Sequence, residues 1–301
     1  MNKWLEYWQQ DELHADVFTN KDGKKHDNLR KFWQTHIAEL KSSSSLLDIA
    51  SGAGAIYRCI PNIKEYEANA LDISKEALAM LKADIPTIKI HPEFLNSKSF
   101  GESKFDAVLS QFGIEYLGDS GFMQVPRLLK SGGKCVFLSH IKDGVIDRRT
   151  QQSLHGLTLL QDIQFLSRAA AVADAFALDQ RQVVEQSVKA FTSIEPKIAA
   201  YCTKVPSGHH VHLYQGIKQL LSQYNSYGHA AVIKWIDEAS KQASQNMERL
   251  ASMHKAALAK DDIIRITALF EKKGLTITNA IPFRLNPEEP PVAWEIVGAK
   301  R

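Results

Sequence analysis

The chain has 301 residues, 44% hydrophobic and 24% charged, ordinary for a globular protein and long enough for one elaborated domain or two. A net charge of +3 without a long Lys or Arg run makes no case for nucleic acid and reads as a solvated surface of mixed charge. Cys59, Cys135 and Cys202 lie far apart without CxxC spacing, which argues against a disulfide framework or cysteine zinc site and suits a reducing compartment. The opening MNKWLEYWQQDELHAD lacks a continuous apolar stretch, and no run of about 18 apolar residues occurs anywhere. The expected setting is the cytoplasm, without membrane.

Residues 1–40 are expected to be N-terminal helices in two pieces. Trp4, Tyr7 and Trp8 share one helical face, as do Phe32, Trp33 and Ile37, with the polar turn TNKDGKKHDN between them. From 41 to 143 the pattern becomes short apolar runs alternating with helical periods. Strands are predicted at 46–50, 67–72, 87–91, 105–111 and 134–140. A helix over 74–85 has Ser74 as its N-cap. A second, over 122–133, ends at glycines but carries an awkward Pro126 inside it. Strands too apolar to face water, alternating with helices, imply a parallel α/β sheet.

Residues 144–260 lose the strand signal and read as an all-helical insertion. Val232, Ile236, Ala239, Ala243, Met247, Leu250, Met253 and Ala257 recur at nearly helical spacing, a seam that suits helix packing and serves equally as a homodimer interface. VPSGHHVHLYQG (205–216) is the expected break. Residues 261–301 return to α/β: a helix over 261–274, capped by Asp261 or Asp262 and ended by Gly274, then two strands joined by NPEEPP. So short a connection makes them antiparallel neighbours. The fold expected is a Rossmann-like, doubly wound, mostly parallel sheet with a closing antiparallel strand pair, interrupted by helices.

The chemistry starts at LLDIASGAGAIY. Glycine turns of this kind hold dinucleotides, nucleotides or S-adenosylmethionine, or nothing. A third dinucleotide glycine would fall at Tyr57, where a bulky ring opposes the close helix–strand packing that glycine permits. No Gly-Lys-Ser/Thr follows, so a P-loop is excluded. Asp48 precedes the turn, and Asp72 ends the second strand twenty positions after Gly52.

With these motifs in this order, residues 45–140 and 261–301 resemble class I S-adenosylmethionine-dependent methyltransferases. The resemblance implies that Asp48 engages the cofactor's ammonium group, while Ala50, Ser51, Gly52 and Gly54 admit its methionine part. Ala50 departs from the glycine most common there. Asp72 would accept from both ribose hydroxyls, Ile73 would lie against adenine, and Glu93 with Phe94 would approach its amino group. Ser110, Gln111 and Phe112 would stand nearest the methyl, and RLLKSGGKCVFLSH resembles the family's helix–GG–strand unit.

Two absences narrow the acceptor. Ser110-Gln111-Phe112-Gly113 stands where methyltransferases of planar nitrogens carry Asp/Asn-Pro-Pro-Tyr/Phe, and Cys135 begins its strand at the wrong end for a cytosine-C5 nucleophile. Phe112-Gly113-Ile114 resembles methyltransferases of quinone biosynthesis. The expected function is methyl transfer to a small-molecule acceptor under a helical cap. The alternatives are an RNA or protein methyltransferase and a non-catalytic cofactor-binding subunit. Candidate catalytic residues are His140, Glu115 and Tyr116, at the strand ends where open α/β sheets bind ligands. His209, His210 and Tyr214 are candidate acceptor contacts; with no carboxylate or cysteine beside it, the run containing His212 reads as solvated loop rather than a metal site.

Overall fold

The computed structural model describes residues 27–301. The helix expected around Trp4, Tyr7 and Trp8 lies outside them. The chain divides into two compact units: residues up to Asp147 together with 255–301, and residues 148–254.

The first unit is built on a seven-stranded sheet in the order β3-β2-β1-β4-β5-β7-β6. Its strands are β1 (Ser45–Ile49), β2 (Glu67–Asp72), β3 (Lys89–Pro92), β4 (Phe105–Gln111), β5 (Leu129–His140), β6 (Leu275–Phe283) and β7 (Ala293–Lys300). The first five run parallel; β7 pairs antiparallel with both β5 and β6. This is the doubly wound sheet with a closing antiparallel pair that the alternating pattern implies.

All five β1 residues are buried, as a central parallel strand covered on both faces requires. Alternation sends neighbours to opposite faces. Leu46, Ala70, Leu109 and Leu138 join one core with Leu29, Trp33 and Ile37 of helix α1 (Asp27–Ala38) and Leu78 and Leu81 of α2 (Lys75–Asp84). Leu47, Ile49, Val108 and Phe137 join the other, with Phe122, Val125, Leu128, Ile266 and Phe270. Each fully buried Leu, Ile or Phe contributes about 1.5–3 kcal/mol. Ser74 caps α2, its hydroxyl accepting from Ala77 N–H at 3.1 Å.

Two local expectations are corrected. Residues 122–133 are not one helix: α3 (Gly118–Phe122) and α4 (Val125–Leu128) are short, Pro126 sits in the first turn of α4, and β5 already runs from Leu129. The final helix, after the insertion, is Lys260–Glu271, with Ala259 at its N-cap. Asp262 serves from inside, accepting the Ala259 N–H at 2.8 Å.

Where the chain leaves the sheet it is fastened to where it returns. Leu258 N–H donates to His140 O at 2.8 Å, Lys142 N–H donates to Leu258 O at 3.0 Å, and Ile141 bridges Leu258. Trp294 Nε1–H adds a bond to Leu258 O at 2.8 Å.

The second unit is helical. Phe165, Val172, Ile198, Ile217, Val232, Ile236 and Leu250 share its core. The long helix His229–Ala256 turns its predicted seam into that core, with Ala243, Met247 and Met253 partly buried against it. The expected break at 205–216 is corrected: a helix runs over His209–Ser222, and Gly208 before it takes φ +114°. No helix among the described residues is long and apolar enough to cross a membrane.

Candidate functional site

The carboxyl ends of β1, β2, β4 and β5 gather Ile49, Asp72, Gln111 and His140 at one edge of the sheet. The order reverses between β1 and β4, and in open α/β sheets ligands bind outside such a switch point.

After β1 the chain takes left-handed backbone at alternate residues: Ala50 (φ +54°), Gly52 (+51°) and Gly54 (+85°). A Cβ at Gly54 would come within 2.3 Å of Leu81 Cδ1, so close approach of helix α2 adds to the demand for glycine. Ala50 holds the same region with a side chain, which finds room because residue 113 has none. A Cβ there would lie 2.6 Å from Ala50 Cβ and 3.0 Å from both Ile49 O and Ser110 Oγ.

Asp72 closes the turn from β2. Gly52 N–H donates to its Oδ2 and Ser74 N–H to its Oδ1, each at 2.8 Å. Burial raises its carboxyl above the ordinary value, opposed by those backbone bonds. Asp48 is buried in β1, and its charge adds to burial in pushing the Tyr57 phenol well above the usual range. Tyr57 donates to Asn69 O at 2.6 Å, so the ring that replaces a third glycine is a packed core group.

Ser51 is buried and Ile73 half-buried. Glu93 and Phe94 follow β3, the outermost strand, and both are exposed. Gln111 accepts from Trp33 Nε1–H at 2.6 Å. Trp33 was legible only as part of an aromatic stripe; its hydrogen bond ties the first helix to the end of β4. Ser110 also braces the edge, donating to Ile49 O at 2.7 Å while accepting from Ile114 N–H at 2.9 Å.

His140, Glu115 and Tyr116 come together. Glu115 Oε1 accepts the His140 backbone N–H at 2.9 Å and stands 2.6 Å from its Nδ1. Phe112 packs on the imidazole with centroids 4.7 Å apart, and Tyr116 meets it edge-on at 5.8 Å. Cys135, expected to begin its strand, is corrected to the middle of β5, which starts at Leu129; burial pushes its thiol up to about 12, no nucleophile at neutral pH.

The remaining candidates belong to the helical unit. His210 is fully buried, corrected from the solvated loop expected, with Nε2 3.1 Å from Val205 O. A Cβ at Gly156 would sit 2.4 Å from its Cγ, so this glycine makes space for the ring. His209 is half-buried, and Tyr214 donates to Glu195 at 2.7 Å. A cavity of about 280 Å³ lies beside Tyr214, Val211 and Cys202.

Residues 47–137 match a family described as methyltransferase domain. Over 95 residues the chain is 30% identical to a demethylmenaquinone methyltransferase of Chlorobaculum parvum and 28% identical to one of Chlorobaculum tepidum. Each match covers 31% of this chain and 39% of the relative, so the chain spans about two fifths of the length of these curated relatives. Among solved structures, a SAM-dependent methyltransferase from Leishmania major is 23% identical, with 47% of this chain and 61% of that one covered and a TM-score of 0.38. Another from Mesorhizobium loti is 24% identical, covering 36% and 52% with a TM-score of 0.32.

Proposed function

We propose that this protein, whose residues 47–137 match a methyltransferase domain, transfers a methyl group from S-adenosylmethionine to a small-molecule acceptor in the cytoplasm. The observation that carries the reading is the joining of Asp72 to the glycine turn. Backbone donors from Gly52 and Ser74 fix one oxygen each. Each oxygen keeps lone-pair capacity for a ribose hydroxyl. The left-handed Ala50–Gly54 stretch fits the methionine part, with Asp48 for its ammonium group. Ile73, Glu93 and Phe94 are assigned to the adenine end, and Gln111, steadied by Trp33, to the methyl end.

When bound, the cofactor supplies an electrophilic methyl: the acceptor's electron pair forms the new bond as the carbon–sulfur pair leaves with sulfur. The chain's own task is to position the acceptor and exclude water. The named substrate of the curated relatives, demethylmenaquinone, is a small molecule, which supports that acceptor class. The absence of a basic run supports it over RNA.

Calorimetry on wild-type and Asp72→Ala protein tests the reading. The substitution is expected to weaken cofactor affinity at least about tenfold, since a charged acceptor for two hydroxyls is lost, with unchanged circular dichroism. Wild-type protein that takes up no S-adenosylmethionine at millimolar concentration sinks it.

A further inference from the structure

We infer that His140, oriented by Glu115, is the proton acceptor of the reaction, and that the methyl acceptor is therefore a molecule with an acidic hydroxyl: a phenol, an enol or a hydroquinone. The inference rests on the methyltransferase reading above.

His140 ends β5 at the ligand-binding edge, and its backbone is held on every side. It pairs with Ala293 of β7, its carbonyl accepts the Leu258 N–H, and its own N–H goes to Glu115 Oε1. The ring is fixed by the same oxygen, 2.6 Å from Nδ1. A carboxylate can only accept, so Nδ1 carries the hydrogen and a neutral ring presents its lone pair at Nε2. Nε2 makes no hydrogen bond to the described residues. The side chains of His140 and Glu115 are 5% and 0% exposed, which shields the pair from bulk water.

Glu115 has no freedom to follow a wandering ring. It stands on the single turn Ile114–Leu117, whose first N–H is anchored to Ser110 Oγ. Its second oxygen, Oε2, is buried without a hydrogen-bond partner among the described residues. An unmade bond at a buried carboxylate is costly, and a pair that served packing alone would have it satisfied. Phe112 covers the imidazole from a left-handed backbone, φ +54°, a conformation a bulky residue seldom holds without cause. Among the described residues, the titratable groups facing the ring are Glu115 and Tyr116; β7 offers Ala293 and the returning chain Leu258.

In the step, the hydroxyl proton of the acceptor moves to Nε2 and the O–H electron pair stays on the acceptor. The imidazolium formed lies against the Glu115 carboxylate, and the proton then passes to solvent. Nothing is oxidised or reduced.

The test measures methyl transfer from labelled S-adenosylmethionine to a panel of phenols and hydroquinones of graded acidity, over pH 6–9, with wild-type, His140→Gln and Glu115→Gln protein. His140→Gln should lose about a hundredfold or more on weakly acidic phenols. It should lose little on nitrophenols, which are already anions at pH 8. Glu115→Gln should move the acidic limb of the rate profile and keep part of the rate. Cofactor affinity by calorimetry should change less than about twofold in both. Nitrogen-15 spectra of labelled histidine should report the Nδ1–H form of His140 in the wild type whatever acceptor is used. Equal rates for His140→Gln, a loss independent of phenol acidity, or an Nε2–H ring overturns the inference. So does a cofactor-binding wild-type protein that methylates none of the panel, an outcome that leaves the methyltransferase reading standing. Failure to bind cofactor strikes that reading itself.

Discussion

Replacing Gly113 with alanine places a methyl group 2.6 Å from Ala50 Cβ and 3.0 Å from Ile49 O and Ser110 Oγ. The residue has φ −139°, outside the left-handed region, so the cost is collision rather than strain. Overpacking at a site walled by Ala50 Cβ, Ile49 O and the hydrogen-bonded Ser110 Oγ costs about 2–3 kcal/mol. Ala50→Gly acts in the opposite sense. It relieves roughly 1–2 kcal/mol of left-handed strain and gives back about 0.5–1 through the freer unfolded chain, a net gain of up to about 1.5. In the double variant the closest contact is gone while the two at 3.0 Å remain, so Gly113→Ala should cost about 1–2 kcal/mol less than it does alone. Because the chain has two compact units, one global midpoint is not a sound measure of stability. Hydrogen exchange of β1 and β4 amides reads the effect locally. A Gly113→Ala penalty equal in both backgrounds refutes the claim that Gly113 exists to make room for Ala50.

Burial, aided by the charges of Arg249, His212 and His210, holds the His209 imidazole down at about 4, against an ordinary 6.5. The folded value lies below the unfolded one, so this stability is whole above pH 6.5 and is lost as pH falls toward 4. The full loss is about 3 kcal/mol. Acid titration of the helical circular-dichroism signal should show a transition in that window, and His209→Gln should flatten it apart from the share of His210, also lowered by burial. Trp33→Phe keeps an aromatic ring but removes the donor that holds Gln111. Cofactor affinity should fall about three- to tenfold in calorimetry; unchanged affinity shows that Gln111 needs no such support.

The sheet was legible in the sequence because its signal is local. LLDIA reads as a buried strand, and the alternate small residues at 50, 52 and 54 match the three left-handed positions. Even the departure at Ala50 was visible, but not its compensation at Gly113, which lies in another loop. Sequence reasoning ended a helix at Gly132-Gly133, whereas Gly132 takes φ +75° within a strand that has already begun. The β4–β5 register shift between Phe105 and Ala107 has no local marker. His210 was misread for a related reason: its burial depends on Gly156, far away in the chain. At the site, His140, Glu115 and Tyr116 were each legible as strand-end residues. Their hydrogen bonds and Trp33's reach to Gln111 are products of folding.

The fastening of Ile141 and Lys142 to Leu258 separates two folding problems. The exit and return segments are joined by the bridge between Ile141 and Leu258, about 4.8 Å across, so whatever occupies the roughly 115 residues between them enters the sheet's energetics chiefly as a closed loop. Closure entropy grows only with the logarithm of length, so halving or doubling that loop changes it by about 0.6 kcal/mol. A helical body attached in this way behaves as a cassette. It can be lengthened, trimmed or exchanged over evolutionary time while the strands on either side keep their register.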